Sequence, residues 1–180
     1  MEKNFVLWLT GLSAAGKTTI AKRLYQEIIQ LDHLIHHLDG DEVRRFSPIK
    51  LGFSPQERDL NIQLAINLAK KYQDNGISVI ASFITPYQRH REWARSQLRN
   101  YIEVFVSTPL CVCEARDPKG LYRKARAGEV NFFTGISDIY EEPSNPHIHL
   151  PAHKLSLDES VSKVLKFLRE NGYIKATKLS

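Results

Sequence analysis

A glycine-rich segment near the start of the chain has residue types and spacing suited to binding phosphate. Positions 11–18 read GLSAAGKT and match the pattern G-x-x-x-x-G-K-[ST] at every fixed position. Glycines let the backbone approach phosphate oxygens, and consecutive N–H groups at a helix start supply positive potential. Lys17 can reach the β- and γ-phosphates of a nucleotide, and the Thr18 hydroxyl can bind Mg²⁺.

The alternative is a chance glycine loop between a strand and a helix, but both flanking patterns fit a phosphate site. The segment therefore predicts nucleotide binding. The predicted nucleotide-binding residues are Gly11, Leu12, Ser13, Ala14, Ala15, Gly16, Lys17, Thr18 and Thr19.

Two acids follow the second predicted strand. Asp39 and Asp41 flank Gly40, and ligands of open α/β sheets bind outside the carboxyl ends of the strands. Carboxylates there can hold Mg²⁺ through water or act as a general base toward an acceptor hydroxyl. The structural alternative is an N-cap, because aspartate often precedes a helix without any chemistry.

Basic and amide side chains come next along the chain. Arg44 lies one helical turn beyond Asp41, and Arg58 and Asn61 are spaced to share one face of the following helix. Arginine offers bidentate geometry to phosphate or sulfate, so the set predicts a clamp for an anionic acceptor. The alternative is an ordinary solvated helix face.

Two aromatic residues and one hydroxyl complete the candidate set. Phe53 and Phe133 lie in glycine-containing irregular segments, where they can stack on a base or pack into the core. Thr85 follows the strand predicted at Ile77–Ile84. Its hydroxyl can contact a substrate, accept a phosphoryl group or satisfy a turn.

Short apolar runs alternate with longer helical patterns over most of the chain. Strands are predicted at Phe5–Leu9, Leu34–Leu38, Ile77–Ile84, Tyr101–Val106 and Lys154–Leu157. Helices are predicted at Gly16–Leu31, from Ser54-Pro55 to Asn75-Gly76, at Gln88–Leu98 and around Val161–Leu168. The second helix is expected to bury a stripe of Leu60, Leu64, Leu68 and Tyr72. This alternation predicts an α/β fold, a three-layer sandwich with a mostly parallel sheet of about five strands.

The region from Asp117 to Pro151 has no clear periodicity and is rich in glycine, proline and basic residues. A loop of this length in a compact domain is usually functional. We therefore predict a lid at about residues 117–136, within a single domain that spans residues 1–180.

Composition limits the class of protein. The chain has 180 residues, 42% of them hydrophobic, and a net charge of +5. These values exclude a disordered, collagen-like or disulfide-stapled protein, and the small positive excess fits an anionic ligand. Cys111 and Cys113 do not match zinc spacing and are interpreted as small buried residues in a reducing compartment. The chain shows no signal-peptide layout, so we expect a cytoplasmic protein without a membrane partner.

Taken together, these residues resemble the adenylylsulfate kinase (APS kinase) family of P-loop kinases. The resemblance runs from about Phe5 to Leu150 and is carried by GLSAAGKTT, LDGDEVR, LGFS, ERDLNI, IASFITPY, IEVFV, RDPKGLYRKARAGEV, FTGI and YEEPSNP. The phosphate loop alone is generic. The segments DGDEVR, LGFS and RDPKGLY to FTGI in this order are highly specific.

The resemblance implies a reaction in sulfate assimilation in which MgATP phosphorylates the 3′-hydroxyl of adenosine 5′-phosphosulfate (APS), giving PAPS and ADP. It implies catalytic roles for Lys17, Asp39 and Asp41, with Mg²⁺ held by Thr18 and Asp41. It implies that Phe53 and Phe133 sandwich the adenine of APS and that the protein is a homodimer. The remaining implied substrate contacts are Asp39, Arg44, Arg58, Asn61, Ile84, Lys119, Gly120 and Leu121.

The chain departs from the family pattern at two places. Thr85 stands where the family usually has a serine that is sometimes described as a phosphoenzyme, and we favour direct in-line transfer. Gln63 and Leu64 stand where the family commonly has two arginines, which leaves any contact of those arginines open. The segment Arg45–Lys50 is also less typical.

Two rival functions remain from the residues alone. The first is another small-molecule P-loop kinase, acting on a nucleoside monophosphate or a sugar. The second is a nucleotide-binding regulatory or nucleic-acid-binding module, which a basic chain allows. The cations group with glycines in the lid rather than along one helix face, so we expect no nucleic-acid partner.

Overall fold

A parallel β-sheet forms the centre of the computed structural model, which describes residues 3–47 and 51–175. Its strands are β1 (Val6–Thr10), β2 (Ile35–Asp39), β3 (Ser78–Ser82), β4 (Tyr101–Ser107) and β5 (Ile148–Pro151). Their order is β2-β3-β1-β4-β5, and every pairing is parallel. The predicted α/β sandwich with about five strands is therefore confirmed.

Helices cover both faces of this sheet. They are α1 (Lys17–Ile29), α2 (Gly40–Phe46), α3 (Pro55–Asp74), α4 (Gln88–Gln97), α5 (Leu110–Arg116), α6 (Leu121–Arg126) and α7 (Leu157–Glu170). Capping boxes begin α3 at Ser54 and α7 at Ser156, each closed by a glutamate three residues later. None of the helices among the described residues has the length and apolarity needed to cross a bilayer.

Strand β1 shows why the sheet needs helices on both sides. Leu7 and Leu9 pack into one core with α1 and α7, whereas Val6 and Trp8 pack into a second core with α3 and α4. All residues of β1 are buried. A strand covered on both faces reads as a continuous apolar run, which is why the sequence revealed it.

The predicted apolar stripe of α3 is not the fully buried face of this helix, although Leu64, Leu68 and Tyr72 pack against the second core. Leu60 is 50% exposed, and Leu64, Leu68 and Tyr72 are only partly buried. The buried face instead carries Arg58, Asn61, Ile62, Ala65, Ile66, Ala69 and Gln73. Hydrophobicity misidentified the face because polar side chains at both ends of α3 are buried, and alanines occupy its middle.

The C-terminal third also differs from expectation. The last strand is β5 at Ile148–Pro151, not Lys154–Leu157, and α7 already begins at Leu157. The strand was missed because His149 interrupts its apolar pattern. Helix α6 lies inside the segment predicted as an irregular lid, and α5 had no sequence prediction. Cys113 is buried as expected, but Cys111 is exposed, because residues two apart on a helix point in different directions.

Candidate active site

The phosphate loop connects β1 to α1. Gly16 caps α1 with a left-handed backbone (φ 108°), which glycine adopts without strain. Three loop carbonyls are held from outside: Ser13 accepts from the Tyr122 hydroxyl at 3.0 Å, Ala14 from Arg116 at 3.2 Å and Ala15 from Thr108 at 3.0 Å. These bonds tie the loop to the segment that follows β4.

Lys17 folds back over this loop. Its Nζ donates to the carbonyl oxygens of Gly11 at 2.9 Å and Leu12 at 2.7 Å, and the residue is 8% exposed. Burial lowers the pKa of Lys17 to about 8, although the charges of Cys113, Asp41 and Asp39 raise it. The side chain lies where a phosphate bound to the loop would meet it.

Asp39 joins the phosphate loop to α2. Its Oδ2 accepts from the Thr18 hydroxyl at 2.8 Å and the Ser82 hydroxyl at 3.1 Å, and its Oδ1 caps α2 by accepting from the Asp41 N–H at 2.9 Å. Burial raises the pKa of Asp39, but these hydrogen bonds outweigh it and the pKa is lowered overall. The N-cap alternative is correct for Asp39, and the same carboxylate also contacts Thr18.

Asp41 occupies a different environment. It lies in the first turn of α2 with 59% of its side chain exposed, and it forms an ion pair with Lys119. Lys119 belongs to the predicted lid, so this pair spans the opening of the site. The metal prediction named Asp41 together with Thr18, whereas the carboxylate that contacts Thr18 directly is that of Asp39.

The oxygen atoms around Thr18 fit Mg²⁺. Among residues 3–47 and 51–175, no group of three or more His, Cys, Asp or Glu side chains is arranged to hold a metal ion. Mg²⁺ in kinases needs no such cage, because water and substrate phosphates supply most of its ligands. One hydroxyl and one carboxylate oxygen 2.8 Å apart are a suitable protein contribution.

The residues of the predicted anion clamp lie near one another around the start of α3. Arg58 is 4% exposed, and it donates to the carbonyls of Phe53 at 2.9 Å and Phe132 at 2.7 Å. Arg44 donates to the carbonyls of Leu51 and Gly52. The guanidinium carbons of Arg44 and Arg58 lie 5.0 Å and 5.7 Å from the centre of the Phe53 ring. Both arginines therefore surround the same aromatic residue.

Asn61 lies one turn beyond Arg58 and is 7% exposed. Its Oδ1 has no hydrogen-bond partner among the described residues. A buried polar atom without a partner is unfavourable, so this oxygen suits a donor group on a bound ligand.

The two candidate base-stacking residues touch each other. The rings of Phe53 and Phe133 lie 5.9 Å apart at an angle of 71°, and Phe133 also meets Tyr122 edge to face at 5.0 Å. A base held between two rings requires them to be parallel and about 7 Å apart, two contacts of about 3.5 Å each. The structure brings the pair together but in a closed arrangement.

Thr85 is buried at the carboxyl end of β3. It is 1% exposed, and its hydroxyl accepts a hydrogen bond from Trp8 Nε1 at 2.9 Å. The backbone has φ 48°, a region that β-branched residues rarely adopt. The hydroxyl thus has a structural partner, but this partner is a side chain of β1 and not the local turn that the alternative supposed.

A cavity of about 700 Å³ collects most of these residues. It is lined by residues 13–19 of the phosphate loop and by Asp39, Asp41, Arg44, Phe53, Arg58, Asn61, Ile84, Thr85, Lys119, Leu121 and Phe133. Gly11, Leu12 and Gly120 are outside its lining. The sequence missed four further residues of the lining: Ala152, Leu155, Leu157 and Ser160. A correctly placed β5 would have revealed them, since they follow its carboxyl end.

The fold and the loop together define a P-loop kinase: a parallel sheet, a phosphate loop after the first strand and one cavity that reaches beyond it. A family model described as adenylylsulphate kinase matches residues 3–151. The chain belongs to this family.

Named relatives agree with the family. An adenylyl-sulfate kinase of Halothermothrix orenii is 47% identical over 173 residues, covering 96% of this chain and 94% of the relative. One from Vibrio cholerae is 49% identical over 176 residues, covering 97% and 82%. The structure of the Mycobacterium tuberculosis APS kinase in complex with AMPPNP and APS has a TM-score of 0.87 and 37% identity, covering 93% of this chain and 99% of that one. The predicted family and the predicted enzyme class, a kinase, are confirmed.

Proposed function

We propose that this protein catalyses the ATP-dependent phosphorylation of the 3′-hydroxyl of APS, giving PAPS and ADP. One observation carries the proposal: a single cavity joins the phosphate loop to the arginine, asparagine and phenylalanine residues at the start of α3. A donor phosphate on the loop and an anionic aromatic acceptor would therefore face each other in the same space.

ATP is assigned to the phosphate-loop side. Backbone groups of residues 13–19 surround the phosphates, and Lys17 exchanges its two carbonyl contacts for phosphate oxygens. Mg²⁺ is assigned to Thr18 and Asp39, with Asp41 contributing through water. The metal, when bound, offsets negative charge on the β- and γ-phosphates.

The acceptor is assigned to the α2–α3 side. Arg58 and Arg44 supply positive charge for the phosphosulfate, and the Asn61 Oδ1 accepts a hydrogen bond from the ligand. Phe53 and Phe133 open to admit the adenine between them, while Ile84 and Leu121 complete the wall. All these assignments agree with the chemistry of an aromatic dianion.

Transfer is direct in this proposal. The acceptor hydroxyl oxygen attacks the γ-phosphorus in line, the bond to the β–γ bridging oxygen breaks, and ADP leaves. Asp41 accepts the hydroxyl proton, because Asp39 already accepts three hydrogen bonds and has a lowered pKa. A phosphothreonine at position 85 is disfavoured, since its hydroxyl is buried against Trp8.

The lid is assigned the task of closing the site. Asp117 caps α6 by accepting from the N–H groups of Tyr122 and Arg123, so the lid has a helical centre. Lys119 bridges to Asp41 across the opening, and it would turn to the substrates when they bind. A closed lid excludes water and limits futile ATP hydrolysis.

An acceptor panel tests this function. ADP release is followed with APS, AMP, gluconate or shikimate as acceptor, in the presence of MgATP. We expect stimulation by APS alone, with product phosphorylated at the 3′-hydroxyl. Stimulation by another acceptor and not by APS would refute the assignment.

The finer cellular assignments rest on the resemblance. We expect a cytoplasmic homodimer without nucleic-acid affinity, and light scattering after gel filtration measures the assembly. Filter binding at several salt concentrations tests nucleic acid, because a real complex weakens steeply as salt rises.

A further inference from the structure

A buried polar cluster lies behind the cavity wall formed by residues 84–86. It consists of Trp8, Thr85, Arg91 and Glu103, which are 0%, 1%, 4% and 3% exposed. Trp8 on β1 is directly paired with Glu103 on β4, and Arg91 reaches them from α4. The proposed reaction gives no role to Trp8, Arg91 or Glu103.

The cluster holds Thr85 by its hydroxyl and its carbonyl, and the Thr10 hydroxyl also donates to this carbonyl, at 3.4 Å. Trp8 Nε1 donates to its hydroxyl at 2.9 Å, and the Arg91 guanidinium donates to its carbonyl at 3.1 Å. The backbone at Thr85 is left-handed, with φ 48°. Such a conformation at a β-branched residue persists only where surrounding contacts enforce it.

Glu103 balances the charge of Arg91. Its Oε1 lies 4.0 Å from Arg91 Nε, and its Oε2 lies 3.3 Å from Arg95 and accepts from the Tyr101 hydroxyl at 3.3 Å. A buried guanidinium without a carboxylate is unfavourable. Glu103 therefore compensates the buried charge of Arg91, whose guanidinium is directed toward the Thr85 carbonyl.

The conformation of Thr85 sets the wall of the cavity. Ile84, Thr85 and Pro86 line it on the acceptor side, together with Arg58 and Asn61. The Ile84 carbonyl accepts from the Gly11 N–H at 3.3 Å and from the Thr10 hydroxyl at 2.7 Å. A shift at Thr85 would therefore move the wall against which the acceptor lies.

We propose that Trp8 and Arg91 are positioning residues for the acceptor, because they hold Thr85 in its left-handed conformation and thereby fix the wall at residues 84–86. This inference rests on the proposed function. ATP binding depends less on them, since other bonds from Tyr122, Arg116 and Thr108 hold the phosphate loop.

The test compares the change in the KM for APS with the change in the KM for ATP. In Arg91→Met we expect the KM for APS to rise about tenfold, because small displacements of a binding wall have large effects. The KM for ATP and kcat should stay within about twofold. Arg91→Lys keeps one cationic donor and should recover part of the loss.

Arg95→Met is the matched control. Arg95 lies on the same helix and contacts the same glutamate, but it is 51% exposed and does not contact Thr85. We expect both KM values of this variant to stay within about twofold of the wild type. An equal rise of the APS KM in Arg95→Met and Arg91→Met would overturn the proposal.

A second pair of variants covers the case in which Arg91→Met does not fold. Trp8→Phe removes the indole donor but keeps an aromatic ring against Phe83. The rings of Trp8 and Phe83 lie 5.3 Å apart in the wild type. This variant should also raise the APS KM selectively. Glycine adopts the left-handed backbone without support from neighbouring side chains. In a Thr85→Gly background, Arg91→Lys or Arg91→Met should therefore raise the APS KM less than in the wild-type background.

The two proposals fail in different ways. If the proposed function is wrong, the wild-type protein does not turn over APS, and the same comparison of KM values is made with whichever acceptor releases ADP. If the positioning role is wrong, the wild type is active, but Arg91→Met and Trp8→Phe leave the acceptor KM unchanged or raise both KM values equally.

Discussion

The two faces of the central sheet are built from different kinds of residue. The face under α1 and α7 packs aliphatic side chains such as Leu7, Leu9 and Leu24, and the phosphate loop extends from its upper end. The face under α3 and α4 buries Arg91 and Glu103 beside the tryptophan and phenylalanine of the second core. One face is a packed support, and the other contains a hydrogen-bonded polar cluster.

This difference follows from what each side has to recognise. Phosphates are bound largely by backbone N–H groups, so the loop side needs only a rigid base. A particular acceptor must be distinguished by side chains, whose directions are fixed by other polar groups. The side assigned to the acceptor buries the charges of Arg58, Arg91 and Glu103, and the loop side buries those of Lys17 and Asp39.

The largest expected effect is the loss of the charge at the phosphate loop. Lys17→Met removes the only side-chain cation that the loop motif itself contributes, and we expect kcat/KM to fall about 10³-fold. Steady-state kinetics measure the loss. Lys22→Met, on the exposed side of the same helix, is the control and should be nearly unchanged, and equal losses in both variants would contradict the role of Lys17.

The aliphatic face of the sheet is tested by measuring the free energy of unfolding rather than enzyme kinetics. Leu24 on α1 is fully buried, whereas Leu60 on α3 is 50% exposed. Leu24→Ala should lower the free energy of unfolding by about 3 kcal/mol, and Leu60→Ala by about 0.5 kcal/mol or less. Urea titration measures both, and a similar cost for the two would restore the apolar stripe that the sequence predicted.

The two acids next to the loop should behave differently. Asp39→Asn loses the ionic contact with Thr18 and should lower kcat about 10²-fold while raising the Mg²⁺ concentration needed for activity. Asp41→Asn should lower kcat by a similar factor, but it should change the Mg²⁺ requirement less, because Asp41 is assigned to the metal only through water. Titration of activity with Mg²⁺ separates the two, and an altered requirement in Asp41→Asn alone would reverse the assignment.

The smallest effect is a pH dependence of ATP binding. Burial lowers the pKa of Lys17 to about 8 in the free protein, and a phosphate favours the charged form. Above this pH the complex must take up a proton, so ATP affinity should fall by up to about tenfold per pH unit. Calorimetry at several pH values measures this, and in Lys17→Met the dependence should disappear.

Local sequence patterns predicted the aliphatic face of the sheet and its phosphate loop better than they predicted the face that contains the buried polar cluster. The phosphate loop, β1 and the start of α3 at Ser54 depend on neighbouring residues, and each lies within one residue of where the sequence placed it. The buried face of α3 depends on partners far along the chain, such as the Phe132 carbonyl that Arg58 reaches across 74 positions. Hydrophobic periodicity carries no information about such a contact.

The candidate site shows the same limit. The motifs identified residues that do line one cavity, but they did not show that Asp39 and Asp41 lie in different environments. This difference follows from the N-cap of α2, which turns the Asp39 carboxylate toward Thr18 and leaves that of Asp41 at the surface. The same holds for Thr85, whose buried partner Trp8 lies 77 residues earlier.

The first glycine of the phosphate loop limits how this chain can vary by mutation. A Cβ at Gly11 would collide with the carbonyl oxygen of Val106, and β4 cannot withdraw because it is paired with β1 on one side and β5 on the other. Every glycine codon begins with GG, so any change in its first or second base adds a side chain or creates a stop codon. We therefore expect only synonymous third-base changes to persist at this codon.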